Sequence, residues 1–349
     1  MEAQERESRV RAPLNRTISL SDEERELLRK QLVKLDGPIG VRAIQNNVIH
    51  QDLSEALPYF PDAFVDLLFL DPPYNQYKTF ADAKFRAMSN DVYAEWIDSW
   101  LSPMVRLLKP TASIYFCANW QSSQSVQRIL GKHFVIRNRI TWEREKGRGA
   151  QANWKNASED IWFCTMSDDY YFDTEAVKLK RRVVAPYTSN GVPKDWSETE
   201  AGNFRLTHAS NLWTDLTVPF WSMTENTDHP TQKPEKLLAK VLLASSRLDD
   251  VIFDPFLGSG TSAAVAKKLG RKFVGIEIDE EFCLLALKRI ALAEMDASIQ
   301  GYTDGVFWER NALSTRTNAS GRTKTSSREK SKRIIQSPEL KDDGDEDKV

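Results

Sequence analysis

Short, nearly continuous apolar runs alternate along this chain with segments whose apolar positions recur every third or fourth residue. The run Phe64-Val65-Asp66-Leu67-Leu68-Phe69-Leu70 ends on Asp71. Such a run reads as a strand buried on both faces, as in a parallel sheet. Residues 112–117, 134–142, 160–165, 250–254 and 272–277 read as further strands, and Val48-Ile49 leads into Asp52. Helical spacing marks residues 94–108, closed by Pro110, then 261–269 and 280–295. A leader helix opens at Ser19-Leu20-Ser21-Asp22-Glu23-Glu24, where serine precedes acids that suit a helix N-terminus. Its stripe of Leu27, Leu28, Leu32 and Leu35 carries it to about Leu35. Strands alternating with helices predict a doubly wound, mostly parallel α/β sheet.

Two stretches break the rhythm. Residues 173–228 are aromatic and weakly periodic, and read as an insertion. Residues 312–349 are rich in Ser, Thr, Lys and Arg and then acidic, with too few apolar residues to order themselves. The expected organisation is a leader over 1–40, a main domain assembled from 41–172 and 229–300, an inserted region over 173–228 and an extension over 301–349.

Composition narrows the function. A net charge of -2 over 349 residues gives no long-range pull on a polyanion, so any nucleic acid must meet a local basic patch. Cys117, Cys164 and Cys283 stand singly, and the four histidines lie far apart. Neither a metal site nor a disulfide framework is expected. The charged N-terminus lacks the apolar core of a signal peptide, and no apolar run approaches a membrane span. The expectation is a soluble, cytoplasmic protein.

Two motifs carry chemistry. In Asp254-Pro255-Phe256-Leu257-Gly258-Ser259-Gly260-Thr261, a strand ends and glycines turn the chain into a helix. Such a turn permits close backbone approach, and its exposed N–H groups favour a negative ligand group. Glu277 ends the following strand, where a carboxylate can accept both hydroxyls of a ribose. This pattern also satisfies a relaxed dinucleotide fingerprint, so a nicotinamide cofactor stays open on these residues alone. In Asp71-Pro72-Pro73-Tyr74, a carboxylate is followed by a rigid turn and a flat ring. An aspartyl oxygen and the Pro72 carbonyl could hold the two hydrogens of an exocyclic amino group, while Tyr74 stacks on the ring that bears it.

With His229-Pro230-Thr231-Gln232-Lys233-Pro234 between them, these motifs resemble those of the amino methyltransferases that modify adenine or cytosine in DNA. The order, tetrapeptide first and about 150 residues before His229, resembles the β group of that family. The resemblance implies S-adenosyl-L-methionine as cofactor, held by Asp52, Thr231, Lys233, Asp254, Phe256, Gly258, Ser259, Gly260, Thr261 and Glu277. It implies Asp71, Pro72, Pro73 and Tyr74 as the catalytic group. It makes residues 173–228 the target-recognition region and double-stranded DNA the substrate. Aspartate as first tetrapeptide residue is usual in adenine-N6 enzymes, with cytosine-N4 as the alternative. An RNA or protein amino methyltransferase and an inactive DNA-binding module are the more remote alternatives. Carbon-5 cytosine methylation needs a Pro-Cys thiolate, and each cysteine here follows phenylalanine. A restriction endonuclease of the same system and a homodimer are the further partners implied.

An amino group stacked in a duplex is out of reach, so the base must swing out. Arg139, Arg144, Lys146 and Arg148 form one basic cluster suited to phosphates, and Lys180, Arg181 and Arg182 another.

Overall fold

The computed structural model describes residues 12–76, 78–80, 83–85, 87–144, 153–183, 187–190, 192–199 and 202–310. Its larger sheet comprises β1 (Asn47–His50), β2 (Val65–Leu70), β3 (Leu108–Ala118), β4 (Val135–Glu143) and β5 (Ser158–Thr165). A smaller sheet follows, with β6 (Leu179–Arg182), β7 (Ser197–Thr199) and β8 (Gly202–Thr207). The chain returns to the larger sheet with β9 (Leu212–Trp213), β10 (Val251–Asp254) and β11 (Lys272–Glu277), then adds β12 (Tyr302–Thr303) and β13 (Val306–Trp308) to the smaller one.

The larger sheet has eight strands in the order β1-β11-β10-β2-β3-β5-β4-β9. Neighbours pair in parallel except at β5, which runs antiparallel to both β3 and β4. The sheet is thus mostly parallel, as the unbroken apolar runs predict. Alternate residues of β2 feed opposite cores: Leu68 and Leu70 enter one, Leu67 and Phe69 the other. The first core takes side chains from α2 (Asn90–Met104) and α3 (Ser123–His133). The second takes them from α4 (Glu235–Ser245), α5 (Thr261–Lys268) and α6 (Glu280–Met295). Helices on both faces are what a sheet of this kind needs to remove its apolar residues from water.

Several boundaries differ from the sequence expectation. The leader helix, α1 (Asp22–Arg29), has a Ser21 capping box as expected but stops well before Leu35. Val33 instead bridges Ile49 of β1, with hydrogen bonds from Val33 N to Val48 O (3.2 Å) and His50 N to Val33 O (2.9 Å). Pro110 does not end a helix. α2 finishes at Met104, a 3-10 turn follows at Val105–Leu107, and Pro110 lies inside the early, exposed part of β3. Pro234 is the N-cap of α4.

Of the stretch expected to be an insertion, residues 179–207 supply strands of the smaller sheet, whose order is β7-β8-β6-β13-β12, while Leu212–Trp213 belong to the larger one. Phe307 and Trp308 pair in parallel with Leu179 and Lys180, so residues 302–308 join the sheet that the insertion begins. Almost the whole of α4 is buried, its lysines included. Lys236 and Lys240 both pair with Asp215, at 2.7 and 2.5 Å, which fastens α4 to the segment after β9. Burial pushes the Lys240 ammonium down to about 8, against the pull of Asp215. Among the described residues, no helix is long and apolar enough to cross a membrane.

Candidate active site

β2 and β10 are parallel neighbours, with Leu68 beside Phe253. Their carboxyl ends therefore deliver Asp71 and the Asp254 loop to one edge of the sheet, where ligands of open α/β sheets bind. Asp71, Lys233, Thr231, Asp254, Phe256, Gly258, Ser259 and Thr261 line a single cavity there, of about 30 Å3. The two motifs face each other across it despite their separation in sequence.

Local bonds fix the tetrapeptide. The Tyr93 hydroxyl of α2 donates to the Pro73 carbonyl at 3.0 Å. Asn75 clasps the backbone of Met88, accepting from its N–H at 2.7 Å and donating to its carbonyl at 2.8 Å. Lys233 Nζ donates to both Asp71 oxygens at 2.7 Å. The Tyr74 hydroxyl lies 3.1 Å from Asp71 Oδ1 and 3.1 Å from Glu159 Oε2. Burial holds the Tyr74 phenol well above its ordinary value, with Asp71 and Glu159 acting in the same direction, so it is a donor. Burial alone would discharge Lys233; Asp71 and then Glu159 reverse this and keep it an ammonium.

The glycine turn is equally constrained. Gly258 has φ +52, and a Cβ there would lie 3.0 Å from His229 Nε2. Gly260, which caps α5, has φ +80, and its Cβ would come within 2.5 Å of the Ala286 Cβ on α6. Only glycine fits either position without strain. Glu277 Oε2 accepts the Gly258 N–H at 2.8 Å, and its Oε1 accepts from Ile278 and Asp279 at 2.9 and 3.0 Å. Asp254 accepts the Phe256 N–H at 3.0 Å and the Ser262 hydroxyl at 2.5 Å, so it shapes the loop from beneath. Burial raises its carboxyl to about 7.

Other expected residues are placed differently. Asp52 caps the short helix Leu53–Ala56 through Ser54 N at 2.8 Å and is not among the residues that line the cavity. The N-terminus of α4 does not stand open to a ligand carboxylate, because Glu225 Oε2 accepts the Glu235 N–H at 2.6 Å. Arg139 lies on β4, its guanidinium 6.0 Å from the Trp162 ring centre. Arg144 just beyond β4 pairs with Glu159. Lys180, Arg181 and Arg182 form much of β6; Lys180 sits 4.4 Å above Trp308 and Arg181 is 3.7 Å from Glu309. Lys146 and Arg148 lie outside the described residues.

Two side chains complete the site from outside its main motifs. Glu159 is buried beside Tyr74 and Lys233, and belongs to the run Asn156-Ala157-Ser158-Glu159-Asp160, which resembles a lesser motif of the amino methyltransferases. Arg289, deep in α6, donates to Ser259 O (3.1 Å), Thr261 Oγ1 (2.8 Å) and Glu235 Oε1 (3.0 Å), tying the glycine turn to α4. All three cysteines are buried, and burial pushes their thiols up, Cys164 to about 12, which leaves no thiolate nucleophile among them.

A family model described as DNA methylase matches residues 65–288, a span that runs from β2 through the glycine turn into α6. The chain belongs to this DNA methylase family. The methylase is 32% identical over 253 residues to the DNA adenine methyltransferase YhdJ of Escherichia coli (strain K12), covering 70% of this chain and 83% of that protein. It is 29% identical to the Type II methyltransferase M.HpaI of Haemophilus parainfluenzae, over 71% and 74% of the two chains. Among solved structures, the PvuII DNA methyltransferase (cytosine-N4-specific) superposes with a TM-score of 0.51 at 17% identity, over 74% of this chain and 88% of that one. That likeness confirms the methyltransferase fold of the methylase.

Proposed function

We propose that this methylase transfers a methyl group from S-adenosyl-L-methionine to the N6 amino group of adenine in double-stranded DNA, after the base has swung out of the helix. The observation that carries the reading is the shared cavity, with Asp71 on one wall and the Gly258 turn on the other. Its identity to a protein named for adenine supports the choice of base.

The cradle fits the cofactor. Gly258 and Gly260 hold a turn that a Cβ at either would block, Thr231 and Phe256 line the cavity, and Glu277 anchors the turn from the neighbouring strand. Asp254, Ser259, Thr261 and Lys233 complete its wall, while Asp52 caps the short helix that follows β1. Lys233 and Asp71, which both line the cavity, are bonded to each other there. When bound, S-adenosyl-L-methionine supplies a methyl group on a sulfonium sulfur, which leaves as a neutral thioether.

Asp71 and the Pro72 carbonyl then accept the two amino hydrogens, which favours a pyramidal nitrogen and localises its lone pair. Tyr74 flanks the base. Fixed dipoles and one carboxylate stabilise the positive charge that grows on nitrogen, and the rigid turn keeps the nitrogen aligned with the methyl carbon. The proton leaves nitrogen with or after the transfer. Arg139, Arg144, Lys146, Arg148, Lys180, Arg181 and Arg182 would contact phosphates. A restriction endonuclease sharing the target sequence is the expected companion, in keeping with the likeness to a Type II methyltransferase, and a homodimer is the expected assembly.

The test uses purified protein, methyl-labelled cofactor and duplex DNA, followed by digestion to nucleosides. Label in N6-methyladenine is expected. Label in N4-methylcytosine would move the reaction to the other base, and DNA without label would overturn the proposal.

A further inference from the structure

Glu159 is a buried carboxylate beside Asp71 that this mechanism leaves without a task. It lies near the start of β5, the strand that runs against its neighbours. That reversal brings the first residues of β5 to the edge where β2 and β10 end, so Glu159 arrives beside Asp71 from the opposite direction. Its side chain is 4% exposed.

Glu159 and Asp71 share their partners. The Tyr74 hydroxyl is 3.1 Å from each carboxylate. Lys233 Nζ is 2.7 Å from Asp71 and 3.6 Å from Glu159. Among the described residues, these two are the carboxylates within ion-pair distance of Lys233. Arg144, itself 29% exposed, pairs with the other oxygen of Glu159, so two carboxylates and two cations balance in one cluster.

An amino group can use Asp71 only if Asp71 gives up bonds it now makes. Lys233 then needs another anion, because a buried ammonium left alone is strongly unfavourable. We propose that Glu159 is a positioning residue that takes over Lys233 and the Tyr74 hydroxyl as the substrate amino group reaches Asp71. The inference rests on the reading of Asp71 given above. No covalent bond changes in this exchange, and the proton stays on Lys233 throughout.

Glu159→Gln keeps the size and an acceptor for Tyr74 but removes the charge that receives Lys233. Its kcat should fall about 10–100-fold, the worth of a hydrogen bond to a charged group. The KM values for DNA and cofactor should stay close to those of the parent. Among the described residues, the titratable groups facing Lys233 are Asp71, Glu159, Cys117 and the Tyr74 ring. With Glu159 neutral, Lys233 should lose its proton more readily, and the alkaline limb of the kcat profile should move to lower pH. Glu159→Asp retains the charge and should recover a substantial part of kcat, with the alkaline limb where the parent has it. If Glu159→Gln does not fold, the comparison of Glu159→Asp with the parent decides, with a smaller loss in kcat and unchanged KM expected. Parental kcat in the folded variants, or a loss confined to KM, would overturn this proposal alone. Absence of methyl transfer by the parent protein would overturn the functional reading and this inference with it.

Discussion

Lys233 Nζ grips both oxygens of Asp71 at 2.7 Å, so the carboxylate assigned to the substrate is already in use before any substrate is present. The pair is largely buried, with the two side chains 7% and 17% exposed. Removing either member leaves the other a charge without its main partner, which the fold tolerates poorly. Asp71→Ala should therefore keep cofactor binding, since the glycine turn is untouched, and lose turnover by at least about 100-fold, as when a preorganised electrostatic group is removed. Calorimetric titration with the cofactor, beside a methylation assay, checks both halves. Full activity in Asp71→Ala would remove the carboxylate from the mechanism.

Gly258 and Gly260 should respond differently to a methyl group. At Gly260 a Cβ would strike the Ala286 Cβ at 2.5 Å, a contact between two packed helices that neither can relieve by rotating a side chain. Strain of about 1–2 kcal/mol for the left-handed backbone adds to about 1–3 kcal/mol for overpacking. Gly260→Ala should therefore lower the Tm by several degrees. At Gly258 the obstacle is the His229 ring, at 3.0 Å, which can move. Gly258→Ala should cost less stability yet weaken cofactor affinity more than it lowers the Tm. Thermal denaturation with and without cofactor separates the two effects. Equal Tm losses with unaltered affinity would contradict this division of roles.

Stability should also depend on pH through Asp254. Burial raises its carboxyl from 3.8 to about 7, with Asp71 and Glu277 nearby adding to the rise, although Ser262 and the Phe256 N–H oppose it. The folded protein thus binds a proton that the unfolded chain has released. Its contribution is fully present below about pH 4 and is lost as pH rises through about 7. Asp254→Asn, which keeps the shape and an acceptor for Phe256, should flatten the fall in stability across that window. Glu225, raised to about 7 by burial and by Glu235, acts in the same direction and should leave a residual slope. Denaturant unfolding at several pH values measures it, and an unchanged slope in Asp254→Asn would exclude Asp254 as the source.

What could be read from the chain followed from how local each signal is. The strand Phe64 to Leu70 announces itself, because a strand covered on both faces must be apolar throughout. The same holds for the glycine turn, where the backbone needs positive φ at Gly258 and Gly260. Glu159 was legible only as a member of the Asn156-Ala157-Ser158-Glu159-Asp160 run, and Arg289 not at all, because their partners are remote in sequence: Tyr74 lies 85 positions from Glu159, and Ser259 lies 30 from Arg289. The leader helix was overread because leucines at helical spacing through Leu35 serve equally well to cover the edge of β1. The reverse direction of β5 had no signal in its composition, and that reversal is what brings Glu159 to the site.

DNA binding should show the stamp of phosphate contacts on β4 and β6. Lys180 rests above the rings of Trp308 and Phe204, at 4.4 and 5.3 Å, and Arg182 lies 6.0 Å from Phe204. The rings beneath Lys180 fix its ammonium without neutralising it, whereas Arg181 shares its charge with Glu309. Arg139, on β4, stays half exposed and holds Asp160 only at 3.9 Å. Charges fixed in this way lose little freedom on meeting a phosphate. Arg139→Ala and Lys180→Ala should each weaken duplex binding alike on cognate and unrelated sequences and reduce the slope of log K against log salt by about 1. Arg181→Ala should change that slope less, since its charge is already partly spent on Glu309. Fluorescence anisotropy over a salt series reads these slopes. A loss confined to the cognate sequence would instead make the side chain a reader of bases, and an unchanged slope in Arg139→Ala and Lys180→Ala would place the DNA on another face.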